Sequence, residues 1–423
     1  MSRKVGGSSS RLDRSEMKVV SVMTAAHGIQ HFYVSGIALT YPFVLKEFHS
    51  SYAYLGVVLG VSGVVGGLLQ GAAGLVKNRQ ARSVLALQDV GLALAAALGA
   101  ISPGMTGYAS ARVFGSIVQW PQHPVGSAYL SDRFPSRRGT VLSWHTTGGS
   151  LGTLLIPLAM TYAIASLGWR PALALLGLVL LIGALLVRIA LPEQELSSRT
   201  ERTHIGTKLS PEYGLNLLRN SWASIQTSSA STKKVLAAST IAAAGRGLGV
   251  VAAFVPVYLH NARHLSLYNT GIIYTTMLFG GVVGPLYAGW LSDRIGRKRV
   301  LFSSYILGAA SFVGLGFSPS NIPAIAVWSL AVGVLAYAEN PLMQSMFADT
   351  VGEAQVNTAF GVYFAIAYGV GAAWLIILGW VIQRYGFPTF FISIAASFVV
   401  AGLIILTVPG DSKGLNRAGQ PDR

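Results

Sequence analysis

The sequence predicts an all-α membrane protein with twelve transmembrane helices in two pseudo-symmetric six-helix bundles. Of the 423 residues, 52% are hydrophobic and only 11% are charged, whereas ordinary soluble domains have roughly 25% charged residues. Apolar stretches of about 20 residues, long enough to cross a bilayer as a helix, alternate with short basic connectors. The two halves of the chain also repeat each other, as shown below.

Twelve apolar stretches define the predicted spans, numbered here from 1 to 12. They cover residues 19–41, 52–76, 83–101, 106–129, 140–164, 171–190, 235–258, 268–291, 300–317, 324–347, 358–382 and 389–408. This organisation predicts five regions: an N-terminal tail (1–18), a first bundle (19–190), a linker (191–234), a second bundle (235–408) and a C-terminal tail (409–423). The first 18 residues are polar, basic and serine-rich, so we expect a cytosolic tail rather than a signal peptide.

Lysine and arginine predict the orientation. With the N-terminus in the cytosol, 25 of the 31 basic residues lie at the cytosolic face and two lie within spans. Only four lie outside, namely Lys46, Arg170, Arg263 and Arg384. This positive-inside bias predicts a multi-pass protein of the plasma membrane with both termini and the linker in the cytosol. It also accounts for the net charge of +16 without a nucleic-acid partner.

The sequence carries no signature of an enzyme. It has no cysteine, which excludes disulfides and cysteine-ligated metals. It also lacks a Walker loop, a His-Glu-x-x-His motif and the arrangement of a serine hydrolase. We therefore expect no catalysis, no ATP-driven pumping, no cofactor and no metal.

The internal repeat is the strongest organisational signal. Residues 63–71 (GVVGGLLQG) match residues 281–289 (GVVGPLYAG) at an offset of 218, and Gln122-His123-Pro124 matches Glu339-Asn340-Pro341 at an offset of 217. Further matches in the same order pair Asp132 with Asp349 and Gly168-Trp169 with Gly386-Phe387. Two six-helix halves repeated in parallel are typical of transporters with a solute site between the halves near mid-membrane.

The loop between spans 8 and 9 reads GWLSDRIGRKR over residues 289–299. It resembles the signature loop of the major facilitator superfamily, Gly-x-Leu-Ala/Ser-Asp-Arg-x-Gly-Arg-Arg/Lys. Gly289 would let two helices approach, and Gly296 would permit a tight turn. Asp293 would accept hydrogen bonds from the N-terminus of a facing helix. Arg294 and Arg297 would keep this loop at the cytosolic surface. We call these five residues the latch.

The first-half copy of this loop departs from the pattern. Leu75 stands where Asp293 stands in the second half, and Asn78 stands where Gly296 does. The latch of the second half would then carry more of the closure.

Several stretches of the first half resemble the bacterial fosmidomycin-resistance exporters within that superfamily. They are His27 to Tyr41-Pro42, Lys46-Glu47-Phe48, Leu68-Leu69-Gln70, His123-Pro124, Arg137-Arg138-Gly139, Gly148-Gly149 and Gly152. In that family an acid typically follows the His-Pro pair, and Val125 stands there instead. The resemblance implies a location in the bacterial inner membrane and the major facilitator fold, with spans 1, 4, 7 and 10 around a central cavity.

Polar side chains inside spans are costly and need a reason. In span 1, His27, Gln30 and His31 share one helical face, and either histidine could titrate near neutral pH. In span 4, Gln119 and His123 share a face, and prolines around them would free backbone carbonyls. The solute-binding candidates are Arg246, His31, His27, Gln119, His123, Arg112, Asn340 and Tyr363. His145, the repeat partner of Tyr363, is a weaker candidate for lining the cavity.

Arg246 in span 7 and Glu339 in span 10 are the leading charged candidates. A guanidinium keeps its charge and binds carboxylates and phosphates in a two-pronged geometry. Glu339, with His31 as a second choice, could carry a coupled proton. A purely structural Arg246–Glu339 ion pair is the competing interpretation.

These observations favour a secondary transporter that moves a small anionic organic solute by alternating access. Its partners would be the solute, a proton or counter-solute and the lipid bilayer, and we expect a monomer. A proton-coupled exporter of amphipathic drugs is the alternative within transport. A non-transporting solute-sensing receptor is the alternative from another class.

Overall fold

The computed structural model describes residues 12–70, 80–192, 228–351, 363 and 365–409. Their regular structure is helical. The first half contains, in order, Arg14–Gly36 with a 3₁₀ turn and helix Tyr41–Glu47 (span 1), Tyr52–Gln70 (span 2), Ala81–Ala100 (span 3), Met105–Val118 and Gln122–Arg133 (span 4), Arg138–Leu167 (span 5) and Trp169–Ala190 (span 6).

The second half repeats this order with more interruptions. Span 7 runs through Ala230–Ala242, a 3₁₀ turn, a π turn, Ala252–Val257 and a π turn. The others are Leu267–Ile295 (span 8), Arg297–Phe317 (span 9), Ile322–Ala336 and Glu339–Thr350 (span 10), and Ala365–Val370 with Ala373–Leu406 (spans 11 and 12). Spans 11 and 12 are separated at Gly386, where φ is +81°.

Nine helical segments of the described chain are long and apolar enough to cross a membrane. One of these nine, Ala373–Leu406, holds spans 11 and 12 joined at Gly386. The nine do not include span 1, which carries polar residues on one face, or span 4, which is broken in the middle. The predicted twelve-span, two-bundle architecture is confirmed.

The bundles have two ends. The end that carries residues 14, 190, 230 and 406, close to the chain termini and the linker, is called the terminal face. The opposite end, called the far face, carries the connections between spans 1 and 2, 3 and 4, and 5 and 6, and the corresponding connections of the second half. On the far face, Arg170 holds the first bundle together, since its Nη2 donates to Glu47 at 2.7 Å and its Nη1 to the carbonyl of Ser102 at 2.8 Å. Arg263 does the same in the second bundle by donating to the carbonyls of Ser318 and Pro319 at 3.0 and 2.9 Å.

The two halves meet along glycines in the part of the membrane nearer the far face. A Cβ at Gly56 of span 2 would overlap the carbonyl oxygen of Leu375 in span 11, and a Cβ at Gly379 would lie 2.6 Å from the carbonyl oxygen of Tyr52. Spans 5 and 8 meet in the same way, at Thr161 and Gly271. We call this contact the glycine seam; it consists of Gly56, Gly60, Gly63, Gly271 and Gly379.

Towards the terminal face the halves diverge. A Cβ at Gly67 in span 2 or at Gly289 in span 8 would meet no atom of a described residue within 4 Å. His123, in the half of span 4 nearer the terminal face, is solvent-exposed. In the described part of the chain, the hydrogen bonds and ring contacts between the halves lie at the far face, such as Tyr52 N to Gln383 Oε1 at 3.0 Å. Among the described residues, the halves are therefore in contact near the far face and apart towards the terminal face.

Candidate functional site

Span 7 is broken in the middle of the membrane, and Arg246 lies at the break. The α-helix ends at Ala242, and Arg246 has extended backbone angles (φ −63°, ψ 127°). The aromatic rings of Phe398 and Tyr337 occupy the space that side chains at positions 245 and 247 would need, so both positions require glycine. The Tyr337 hydroxyl donates to the freed carbonyl of Gly247 at 3.0 Å, which satisfies a polar group that lipid could not.

The Arg246 side chain forms an ion pair with Glu339. Nε of Arg246 lies 3.8 Å from Oε2 of Glu339, and the two side chains are 9% and 1% exposed. Nη2 of Arg246 also donates to the carbonyl and the hydroxyl of Ser239, at 3.2 and 3.3 Å. The structure therefore contains the pair that the sequence offered as the competing interpretation of these two residues.

Span 10 is interrupted as well, and Glu339 begins its second helix. The first helix ends at Ala336, and the second runs Glu339–Thr350. A carboxylate at this position lies next to the positive end of the helix dipole, which stabilises it. The neighbouring Asn340 is half-buried, and its Oδ1 accepts from Gln344 at 2.9 Å.

Tyr363 and Tyr305 extend this polar group. The Tyr363 hydroxyl lies 3.1 Å from the hydroxyl of Ser239, so it contacts the same residue as Arg246 does. The Tyr305 hydroxyl lies 3.5 Å from Oε1 of Glu339. Our sequence reasoning included Tyr363 but missed Ser239 and Tyr305. Ser239 precedes Arg246 by seven positions, a helical spacing that could have drawn attention to it, whereas Tyr305 carried no such signal.

The expected break in span 4 is confirmed. The helix stops at Val118 and restarts at Gln122, one residue after Pro121. Because Gln122 is the repeat partner of Glu339, both halves are interrupted at the same level. Gln119 lies at this break, half-buried, on the side that faces span 2 near Gly66.

Arg112 lies nearer the far face than the break in span 4. Its Nε donates to the Tyr41 hydroxyl at 3.3 Å, and its Nη1 donates to the Ser116 hydroxyl at 2.9 Å. Tyr41 belongs to the end of span 1, so this arginine links spans 1 and 4 within the first bundle.

Four histidines from three spans meet in the first bundle. The ring centroids of His27 and His31 are 4.8 Å apart, as are those of His27 and His123. His145 of span 5 stacks on His27 at 4.1 Å. His27, His31 and His145 are buried, whereas His123 is exposed to the space between the halves. We call His27, His31, His123 and His145 the histidine cluster; the sequence predicted the first two together but gave no sign that all four meet.

The latch residues lie on the terminal face. Gly296 has φ +96°, which explains the need for glycine in this turn. Arg297 pairs with Asp349, and the guanidinium of Arg294 lies 3.7 Å from the ring centroid of Trp290. Asp293 is exposed and makes no hydrogen bond or ion pair with a described residue. The close helix approach expected at Gly289 is not present in this conformation, and Leu75 and Asn78 lie outside the described residues.

The chain is similar to transporters over nearly its whole length. The family model described as Major Facilitator Superfamily matches residues 23–274 and 235–421. The fosmidomycin resistance protein of Escherichia coli (strain K12) is 22% identical over 411 residues, covering 94% of each chain. The hexuronate transporter of the same strain is 22% identical over 422 residues, covering 92% of this chain and 93% of its own.

Solved structures show the same fold. The crystal structure of the nucleoside transporter NupG superposes with a TM-score of 0.75 at 14% identity, covering 94% of this chain and 99% of that chain. The likeness to fosmidomycin resistance proteins, expected mainly for the first half, extends over both halves. Together with the broken spans around a central space, these matches establish that the chain belongs to the Major Facilitator Superfamily of transporters and is not an enzyme.

Proposed function

We propose that this protein is a secondary active transporter that moves a small anionic organic solute by alternating access, coupled to a proton or a counter-solute. One observation carries the proposal: Arg246 lies at the break of span 7 and is paired with Glu339 at the break of span 10, 3.8 Å away. Spans 7 and 10 are two of the spans expected to line the cavity. The hexuronate transporter, a relative of similar length, is named for an anionic solute.

The pair supports a coupling mechanism. An arriving carboxylate or phosphonate competes with Glu339 for the guanidinium of Arg246. Once the solute has taken the cation, Glu339 is a buried carboxylate without its partner, which is costly unless it takes up a proton. Solute and proton then bind together and are released together.

The asymmetry between the two ends supports alternating access. The halves touch at the glycine seam near the far face and diverge towards the terminal face, so the solute site communicates with the terminal face. In the opposite state the seam would open and the latch would close the terminal face. We propose that the terminal face is cytosolic, with both termini and residues 191–234 on that side, as the positive-inside bias predicts.

A ligand screen tests the solute class. Purified protein is heated with organic carboxylates, phosphonates and cationic drugs, because a ligand that binds the folded state raises Tm. We expect carboxylates or phosphonates to raise Tm and Arg246→Lys to weaken the effect without unfolding the protein, since it keeps the charge and loses the fork. Stabilisation by cationic amphipathic drugs alone would contradict the proposal and favour a drug exporter.

Counterflow in proteoliposomes tests transport itself. Vesicles loaded with the stabilising solute should accumulate the labelled solute from outside. In a second assay, a proton gradient with the acidic side outside should drive uptake of the solute against its concentration gradient. Glu339→Gln should stop this uphill uptake and leave counterflow intact. Binding without counterflow would indicate a solute-sensing receptor.

The orientation is tested by labelling. The chain has no cysteine, so single cysteines can be introduced at Ala230 on the terminal face and at Ser320 on the far face, both exposed. An impermeant thiol reagent added to intact cells should label Ser320→Cys only. Labelling of Ala230→Cys alone would reverse the assignment.

A further inference from the structure

The histidine cluster presents nitrogen lone pairs that the transport mechanism above does not use. Nδ1 of His27 lies 2.7 Å from the carbonyl oxygen of His145, and Nδ1 of His145 lies 3.2 Å from that of Met23. A carbonyl oxygen can only accept, so in the neutral rings both Nδ1 atoms carry the proton and both Nε2 atoms carry an open lone pair. Nε2 of His27, His31 and His145 is buried and has no hydrogen-bond partner among the described residues.

Three of these rings converge on one point. His27, His31 and His123 each offer a ring nitrogen, and the three nitrogens lie within 4.8 Å of one another. Tetrahedral coordination with metal–nitrogen distances of about 2.0–2.1 Å places ligand nitrogens about 3.3 Å apart. His123 is the exposed member and makes no hydrogen bond with a described residue, so its ring can rotate towards the two buried rings.

The rings of His27 and His31 pack directly against the backbone of span 5. A Cβ at Gly149 would lie 2.9 Å from Nε2 of His27 and 3.1 Å from Cδ2 of His31. Glycine at this position therefore lets the two rings lie side by side with Nε2 of His27 next to the span 5 backbone. His123, the third ring, is exposed.

The cluster also has the outer contacts that support a metal site. Histidine ligands usually engage their second ring nitrogen with an oxygen, which fixes the tautomer and the ring orientation. Here Nδ1 of His27 has the carbonyl of His145, and Nδ1 of His31 has the hydroxyl of Thr153 at 2.7 Å.

We propose that His27, His31 and His123 form a binding site for a divalent first-row transition metal ion such as Zn²⁺. Neutral imidazoles suit zinc, cobalt, nickel and copper, whereas magnesium and calcium require oxygen ligands. Three protein ligands leave a fourth position, which faces the cavity and takes water or an oxygen atom of an anion. The site belongs to the first bundle alone and does not depend on the Arg246–Glu339 mechanism.

Cobalt binding tests the site directly. Co²⁺ is titrated into tag-free purified protein at neutral pH, and tetrahedral coordination is read from its visible absorption; Zn²⁺ binding is measured by calorimetry. We expect one ion per chain, displacement of Co²⁺ by Zn²⁺ and no competition from Mg²⁺. His31→Gln and His123→Gln should abolish the absorption band. Thr153→Val, which removes an outer contact, should weaken binding about 10- to 100-fold.

Matched controls separate binding from folding. His49→Asn changes an exposed far-face histidine whose φ of +49° asparagine tolerates, and it should bind metal like the parent protein. The proposal is overturned if the parent protein binds no Zn²⁺, or if His123→Gln binds it as tightly as His49→Asn does.

Discussion

Arg246 and Glu339 approach each other from two broken helices, with Nε of the arginine 3.8 Å from Oε2 of the glutamate. Both residues owe their position to an interruption: Arg246 lies in the extended turn of span 7, and Glu339 begins the second helix of span 10. The two charged side chains therefore meet where the regular helices of spans 7 and 10 are interrupted.

The pair predicts a non-additive pattern of stability. Arg246→Met or Glu339→Gln alone leaves a buried group without its partner, which typically costs about 3–5 kcal/mol for a buried pair. The double variant removes both groups and should recover most of the loss in Tm, measured in detergent. It should not transport. A stable double variant with full transport would rule out the proposed mechanism.

The glycine seam predicts a conformational bias. Gly56→Val inserts a side chain against the carbonyl of Leu375 and should separate spans 2 and 11 at the far face. Spin labels on cysteines at Lys46 and Ala262, both exposed at the far face in opposite halves, report this change. The distance between the labels, measured by double electron–electron resonance, should increase.

Gly67→Val is the matched control for Gly56→Val. It lies in the same helix, and its Cβ would meet no atom within 4 Å among the residues that the structure describes, so the spin-label distance should stay at the parental value. Equal distances in Gly56→Val and the parent would show that the seam does not hold the far face closed.

Glu47 predicts a pH dependence of stability at the far face. Hydrogen bonds from Arg170, and then from the Trp169 indole at 2.6 Å, lower the pKa of this carboxyl below its ordinary value. A group with a lowered folded-state pKa stabilises the fold fully above its unfolded value of about 4.5, and this stabilisation is lost as the pH falls through the folded pKa.

Thermal unfolding from pH 7 downwards checks this dependence. Above pH about 5, Glu47→Gln should unfold at a slightly lower temperature than the parent protein, because the charged partners are one-third to two-fifths exposed and therefore screened. The difference should close in more acidic solution. A difference that is the same at every pH would mean that packing, not charge, causes it.

The latch predicts opposite behaviour for two aspartates on the terminal face. Asp293 makes no contact with a described residue in this state, so Asp293→Asn should leave Tm unchanged and disfavour closure by about 1.5–3 kcal/mol, the value of a hydrogen bond to a charged group. Asp349→Asn breaks the existing pair with Arg297 and should lower Tm slightly.

Spin labels on cysteines at Ser136 and Arg299, one in each half on the terminal face, report closure. In Asp293→Asn the population with the longer label–label distance should increase, because the closed state loses a hydrogen bond. In Asp349→Asn this population should stay as in the parent protein. An unchanged distance distribution in Asp293→Asn would remove this residue from the latch.

The sequence predicted the spans well because each is a local property. Length and apolarity define a helix in lipid without reference to its neighbours, and the prolines of span 4 were enough to predict the break in that span. The break in span 7 was not predicted, because it depends on the rings of Phe398 and Tyr337 against two glycines. Those rings come from spans 12 and 10, and no local pattern brings them to span 7.

The candidate site was predicted only in part, because some of its features are local and others depend on contacts between spans. His27 and His31 share a face by helical spacing, and Arg246 and Glu339 were selected because buried charges are rare in spans. The stacking of His145 on His27 depends on the close approach of spans 1 and 5 at Gly28, Gly148 and Gly152. The glycines are visible in the sequence, but the register in which two helices meet is not.

The glycine seam also bears on whether intermediate conformations can form between the two states of the proposed alternating access. Where long side chains interlock, a contact can re-form in several rotamer combinations, and each side chain that is ordered costs up to about 2 kcal/mol of entropy. Gly56, Gly63 and Gly379 instead bring backbone against backbone or against small side chains, so that part of the seam has few rotamers to select and one register in which it fits. We therefore expect closure of the far face to be all-or-none, so that under the proposed alternating access a solute would meet two discrete gates rather than a gradually narrowing channel.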